Sequence, residues 1–184
     1  MSQTTIKNEN AIQFGSGKFE YSTDGNNWVD LGAMKNIVFT ETFDKVTIMS
    51  DNAGVIKERI KNHHASLAGD LQEISLADLY ALRGGLDSYS SDTGVSETLK
   101  SGGLLTIDAI QVRVTNENER NEQFRITILK ATNNKGININ FSPDDADDPN
   151  VIPIELYGSC DTDLDAGKQL FEIYNEQGIG GINS

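Results

Sequence analysis

The sequence predicts a mainly β fold with one α-helix, on three observations. Branched and aromatic residues recur at every second position over much of the chain, as in half-buried strands. One segment has the caps and spacing of a helix. Seventeen glycines against three prolines supply many turns and few rigid breaks. At 184 residues the chain suits a single domain, 1–184, long enough to bury a core without disulfides or metals.

Taken in order, "FEYSTDGNNWVDLG" (19–32) reads as a strand, an Asp24-Gly25 turn and a short return carrying Trp28. "NIVFTETF" (36–43) alternates Ile37, Phe39, Glu41 and Phe43 against Val38, Thr40 and Thr42, and "KVTIM" (45–49) continues the pattern. Residues 53–67 are ambiguous. Val55, Ile56, Arg59, Ile60, His63, His64 and Leu67 recur at helical spacing, while period two sets Ile56 and Ile60 against Lys57, Arg59 and Lys61. Periodicity favours the helix there.

"SLADLYALRGG" places a helix over 75–83, with Ser75 as N-cap, Asp78 three residues on, and Gly84-Gly85 as the stop. The Ser- and Gly-rich 86–103 reads as a long exposed loop. Strands follow at 104–116 and 123–130, paired as a hairpin with the charged tip "NENERNE". "GININF", "VIPIELYG" and "LFEIYN" add three shorter strands.

Charge narrows the function. A net charge of −13 excludes a generic nucleic-acid binder, which needs clustered Lys and Arg. Cys160 is the single cysteine, so no intramolecular disulfide can form. The opening "MSQTTIKNENAIQFG" has no secretory apolar run, and no window nears the ~18 apolar residues of a membrane span. A cytoplasmic setting is expected. The charge is also uneven: 136–167 holds eight acids and no Lys or Arg, whereas 35–61 holds five bases. That is either a patchy solvated surface or a pair of complementary faces through which copies meet head to tail.

Four motifs touch chemistry. "DTDLDAGKQLFE" (161–172) puts Asp161, Asp163, Asp165 and Glu172 at positions 1, 3, 5 and 12 of a calcium loop. Position 6 is Ala166 rather than glycine, position 8 is Lys168, and both flanks read as strands. An acidic connection between the last two strands accounts for it better. "SPDDADDPN" (142–150) reads as a solvated loop. "GSGKF" (15–19) lacks the phosphate-loop glycine at Ile12 and ends on Phe19. His63 and His64 on a strand would point to opposite faces, with Cys160 the only thiol to join them. Trp28 reads as a partly buried core or interface residue. No enzyme chemistry, metal or cofactor is expected.

The order of parts is familiar. A Trp-containing hairpin "DGNNWVDLGAMKNIVFTE" leads to a long segment containing "SDNAG", "DLQEIS" and "LRGGLD"; then come "IDAIQVRVTNENERNEQFRITILKATNN" and the acidic "IPIELYGSCDTDLDAGKQLFEIYNE". Over about positions 14–176 this resembles the major tail (tail tube) proteins of tailed bacteriophages and of phage-like particles. The resemblance implies a β-sandwich or barrel-like domain with one flanking helix, whose long strands join a continuous inner β-barrel in a hexameric ring.

Rings stack head to tail to make a conduit for DNA, in a virion tail assembled in the bacterial host cytoplasm. It implies an N-terminal arm (1–13), a C-terminal tail (177–184), and a ring-stacking loop at 43–54 with contacts from Asp44, Lys45, Ser50, Asp51, Asn52 and Gly54. It makes 55–67 a strand. Thr40, Thr42, Arg125 and Thr127 are then expected on the lumen, inside an acidic wall that DNA does not adhere to. Partners would be further copies and the tape-measure, terminator and baseplate or tip proteins, without membrane insertion. The neighbouring readings are the tube of a contractile injection particle or tailocin and, in a different class, a soluble β-rich module that binds calcium.

Overall fold

A computed structural model describes residues 17–52, 54–73, 75–85, 87–103, 106–117, 122–139 and 151–176. The expected N-terminal arm, the C-terminal tail and the 142–150 acidic loop lie outside them. In chain order the elements are β1 (Lys18–Ser22), β2 (Val29–Asp30), β3 (Met34–Ser50), β4 (Gly54–Leu71), α1 (Leu76–Leu82), β5 (Asp87–Asp92), β6 (Ser96–Ser101), β7 (Ile110–Glu117), β8 (Gln123–Asn133), β9 (Ile152–Gly158) and β10 (Phe171–Asn175). The fold is mainly β, as the alternation predicts. Eight strands form one antiparallel sheet in the order β2-β1-β7-β8-β9-β4-β3, with β10 also on β8; β5 and β6 make a separate hairpin. The sheet is open rather than closed into a barrel.

β8 changes partner along its length. Its Phe124–Ile128 part runs beside β10, and Ala131–Asn133 runs beside β9. β10 thereby faces β3 and β4 across the core, where the Phe171 ring meets Phe39 edge-on at 5.2 Å. The core is the inward row of each strand: Phe19 and Tyr21, Val112, Ile128, Leu67 and Leu71, Ile154 and Leu156. Helix α1 closes one end with Leu79 and Leu82. Its N-cap is Ser75, whose Oγ accepts from the Asp78 amide at 3.2 Å, and Asp78 in turn accepts from the Tyr21 hydroxyl at 2.9 Å. Gly84 ends the helix at φ 56°, and a Cβ there would meet the Asp108 carbonyl.

On the opposite side of the β1–β7 pair, Glu20 is nearly buried yet charged. Its carboxylate accepts from Arg113 Nε at 2.6 Å and Lys18 Nζ at 2.8 Å. Burial alone would raise its pKa; the bonds from Arg113 and then Lys18 outweigh that and hold it below the ordinary value. The Arg113 guanidinium also lies 4.0 Å from the centre of the Trp28 ring. Trp28 therefore covers an ion pair rather than an apolar core.

Five sequence expectations change. The segment 43–54 is not a loop: β3 runs to Ser50, Asp51 and Asn52 are in a turn, and β4 starts at Gly54. The strand implied for 55–67 forms, and the helical spacing there is produced by β-bulges. β4 residues on the face of Leu67 and Ala65 fall at 55, 58, 60 and 63, because register shifts after Thr42 and Ile48 insert three-residue steps into a two-residue row. The 86–103 loop is the β5–β6 hairpin. Only Tyr89 and Leu99 are half-buried among its described strand residues, so its strands carry no apolar alternation to read. "GININF" makes no strand over 136–139, and 106–109 precedes β7 as irregular chain.

A projecting β arm as the candidate assembly surface

β3 and β4 are each one continuous strand with two environments. Along β3, burial alternates from Met34 to Thr40 and then stops, and everything from Glu41 to Met49 is exposed. β4 mirrors this, exposed from Gly54 to Asn62 and alternating from Ala65 to Leu71. The change falls where β9 ends its pairing with β4 at Ala65. Beyond that point the two strands have only each other, so residues 43–62 form a two-stranded ribbon projecting from the body.

Two bulges of the same construction bracket the change. Asn36 adopts φ 56° and donates from Nδ2 to Asp70 Oδ2 at 2.7 Å; Asn62 adopts φ 53° and donates to Asp44 Oδ2, also at 2.7 Å. Asparagine tolerates this left-handed conformation because its short amide can bond locally. At the arm root His63 Nε2 lies 2.7 Å from Glu41 Oε1, and the His63 ring stands edge-on to Phe43 and Phe171. A bulge bends its strand and increases local twist, so the Asn62 lock sets the direction in which the arm leaves.

The arm is unlike an ordinary surface ribbon. Phe43, Val46, Ile48, Met49, Val55, Ile56 and Ile60 are all exposed, Met49 at 69% and Ile56 at 61%. The pairing places these residues on both faces. Lys45 and Ile60 share one face with Thr47 and Glu58, where Lys45 Nζ pairs with Glu58 at 2.6 Å. The other face holds Asp44, Val46 and Ile48 opposite Lys61, Arg59 and Lys57. Among the described residues none of these three cations has an ion-pair partner.

Of the expected stacking contacts, Asp44 and Lys45 lie in the paired arm, Ser50 ends β3, Asp51 and Asn52 form the turn, and Gly54 opens β4 at φ 68°. Thr40 and Thr42 are exposed on the face of the β3–β4 pair opposite Leu67. Arg125 is half-buried, 4.9 Å from the centre of the Tyr174 ring. Thr127 corrects the expectation of a lumen-facing row on β8. It is buried at 8% exposure, because the long side chains of its partners Arg113 and Glu172 flank it on both sides.

The calcium-like quartet does not assemble: among the described residues no three metal-ligating side chains gather. Glu172 sits on β10, 3.9 Å from Arg125, while Asp165 lies 3.4 Å from Lys168. His63 and His64 point to opposite faces as expected, His64 packing on Tyr157. The one thiol that the sequence offered as a partner does come near: His63 and exposed Cys160 line one open cleft of about 200 Å³, with Gly167 and Gln169. The β5–β6 hairpin was also missed. It is tied to the helix by stacking of Tyr80 on Tyr89, and its tip exposes Val95 at 77%.

No family model matches the chain, and no curated protein matches it in sequence. Among solved structures it is similar to a chain in the cryo-EM structure of the anti-feeding prophage (AFP) baseplate, six-fold symmetrised. The identity is 13% and the TM-score 0.47, over 96% of this chain and 99% of that one.

Proposed function

We propose that this chain is a structural, non-enzymatic subunit that assembles with copies of itself into hexameric rings, stacked head to tail as a bacteriophage tail tube. The observation that carries the reading is the β3–β4 arm. An isolated two-stranded hairpin is marginal in water, and apolar patches of this kind mark interaction sites. This arm exposes apolar residues on both faces and leaves the outer edges of both strands unpaired among the described residues. Free edges are templates for pairing with another chain. Further copies would supply both the missing faces and the missing edges.

The rest of the reading follows from the sequence resemblance. A net charge of −13 suits a wall along which DNA slides without adhering, since adhesion needs basic contacts. Thr40, Thr42 and half-buried Arg125 are the wall residues this reading retains, and buried Thr127 is not. Tape-measure, terminator and baseplate or tip proteins are the partners it implies, and a virion tail assembled in the host cytoplasm is the location.

Electron microscopy of the purified protein at rising concentration tests it. Rings or tubes about a hundred ångströms wide are expected, against a compact monomer with a radius of gyration of roughly 16 Å. A protein that stays monomeric and binds calcium tightly contradicts it and favours the binding module.

A further inference from the structure

We propose that the basic face of the arm docks on the acidic β9–β10 connection of a neighbouring copy, residues Asp161, Asp163 and Asp165 with Leu164. This rests on the self-assembly reading and adds the surface that covers the arm.

Lys57, Arg59 and Lys61 stand at alternate positions of β4, so they form a row about 7 Å apart on one face. Val46 and Ile48 lie opposite Arg59 and Lys57 across the ribbon, and Asp44, opposite Lys61, is occupied by Asn62. Val46, Arg59 and Lys61 of this face, with Ile60 from the other, line an open cleft of about 330 Å³. The face therefore offers three cations without ion-pair partners and two exposed aliphatic side chains. On a subunit with net charge −13 such a row stands out, and copies of so acidic a chain repel unless opposite charges meet.

The β9–β10 connection offers the complement. Asp163 and Asp165 are exposed, Asp161 is half-buried, and Leu164 between them is 40% exposed. Lys168, 3.4 Å from Asp165, is the one cation paired within the connection among the described residues. The loop is held in shape from inside: the Asp161 amide donates to the Gln169 carbonyl at 2.8 Å, and Gln169 Nε2 donates to the Leu164 carbonyl at 2.7 Å. Three carboxylates around an apolar residue, one of them shared with Lys168, thus face three cations beside two.

The function supplies a second reason to cover the row. Three uncovered cations in a DNA conduit would bind phosphate and hold the DNA back, whereas carboxylates from a neighbour remove that contact.

Charge exchange tests the pairing. The set Lys57→Glu, Arg59→Glu and Lys61→Glu should raise the half-assembly concentration at least about tenfold, read by sedimentation velocity and electron microscopy. The set Asp161→Lys, Asp163→Lys and Asp165→Lys should do the same. The two sets in one chain should restore assembly to within about threefold of wild type, as expected for directly coupled sites. Val46→Cys should form an intermolecular disulfide with the native Cys160, seen as a dimer ladder on a non-reducing gel. Circular dichroism controls for folding, and glutamine replacements serve if a reversal set unfolds.

Wild-type assembly that neither set changes overturns the docking and leaves the tube reading standing. A wild type that never assembles overturns both. Loss on arm reversal without rescue, and without cross-linking to Cys160, assigns the arm to another surface. A reversal that leaves assembly intact but abolishes retention of a DNA duplex makes nucleic acid the occupant. Both of those results also overturn the proposal.

Discussion

The inner and outer halves of the β3–β4 hairpin share strands, pairing and sequence texture, yet do opposite things. In the body half, Phe39 pairs with Leu67 and Glu41 with Ala65, and the Leu67 side chain is fully buried. In the arm half, Val46 pairs with Arg59 and Ile48 with Lys57, and both apolar side chains stay exposed. Strand pairing is common to the two; a third layer is not. Pairing of β4 with β9 and packing of β10 on Phe39 make the inner half a core, and their absence makes the outer half a surface. Alternation thus reports a strand but not whether its apolar row faces its own chain or another.

Truncating one apolar residue in each half should separate the two most widely. Leu67→Ala should cost about 3 kcal/mol by lost burial and the cavity left behind. Ile56→Ala, on the exposed arm, should change monomer stability by less than about 0.5 kcal/mol. Urea denaturation at a concentration where the protein is monomeric measures both, and equal losses would contradict the division into core and arm.

Ion pairs should divide the same way. Arg113→Met leaves the nearly buried Glu20 with Lys18 alone and should cost about 2 kcal/mol. Glu58→Gln, in an exposed arm pair, should cost at most about 0.5 kcal/mol. The Glu20 pair also carries a pH signature. Its folded-state pKa lies below the ordinary 4.5, so its contribution is fully present above that pH and is lost as pH falls through the lowered value. Asp24 is depressed too, by the amides of Asn27 and Asn26, and acts in the same direction. Acid titration of the melting temperature should therefore flatten below pH 4.5 in Glu20→Gln relative to wild type. An unchanged slope would remove Glu20 from the account.

A smaller effect is expected at the boundary. Asn62→Val forces a branched residue into the left-handed region and should cost about 1–2 kcal/mol, whereas Asn62→Gly should cost a few tenths. Hydrogen exchange should show the loss in arm amides before body amides. Loosening of β9 first would place the lock elsewhere.

The body was legible because its strands are covered on one side, and coverage leaves period two in the sequence. The same physics made Ser75 and the Gly84-Gly85 stop readable. The arm was half legible: alternation reaches Met49 and the resemblance makes 55–67 a strand, whereas the 43–54 loop and the helical spacing of 53–67 do not match the paired strands. Apolar residues on both faces erase the alternation, and bulges at Ile56 and Asn62 replace it with three-residue steps. The β5–β6 hairpin was illegible for a related reason, since exposed Ser, Thr and charged residues around the single half-buried pair Tyr89 and Leu99 carry no periodic signal. Thr127 shows a further limit: a polar residue in an outward row is buried when its cross-strand neighbours are long enough to cover it.

The central claim is that the arm serves assembly and the body folds without it. Replacing residues 43–63 by an Asn-Gly turn between Thr42 and His64 tests this most directly, by sedimentation velocity and thermal melting beside the wild type. The truncated chain should keep a cooperative melt with stability within about 1 kcal/mol of wild type. It should also stay monomeric at concentrations where the wild type forms rings or tubes. A truncated chain that assembles as the wild type does, or one that no longer folds, would contradict it.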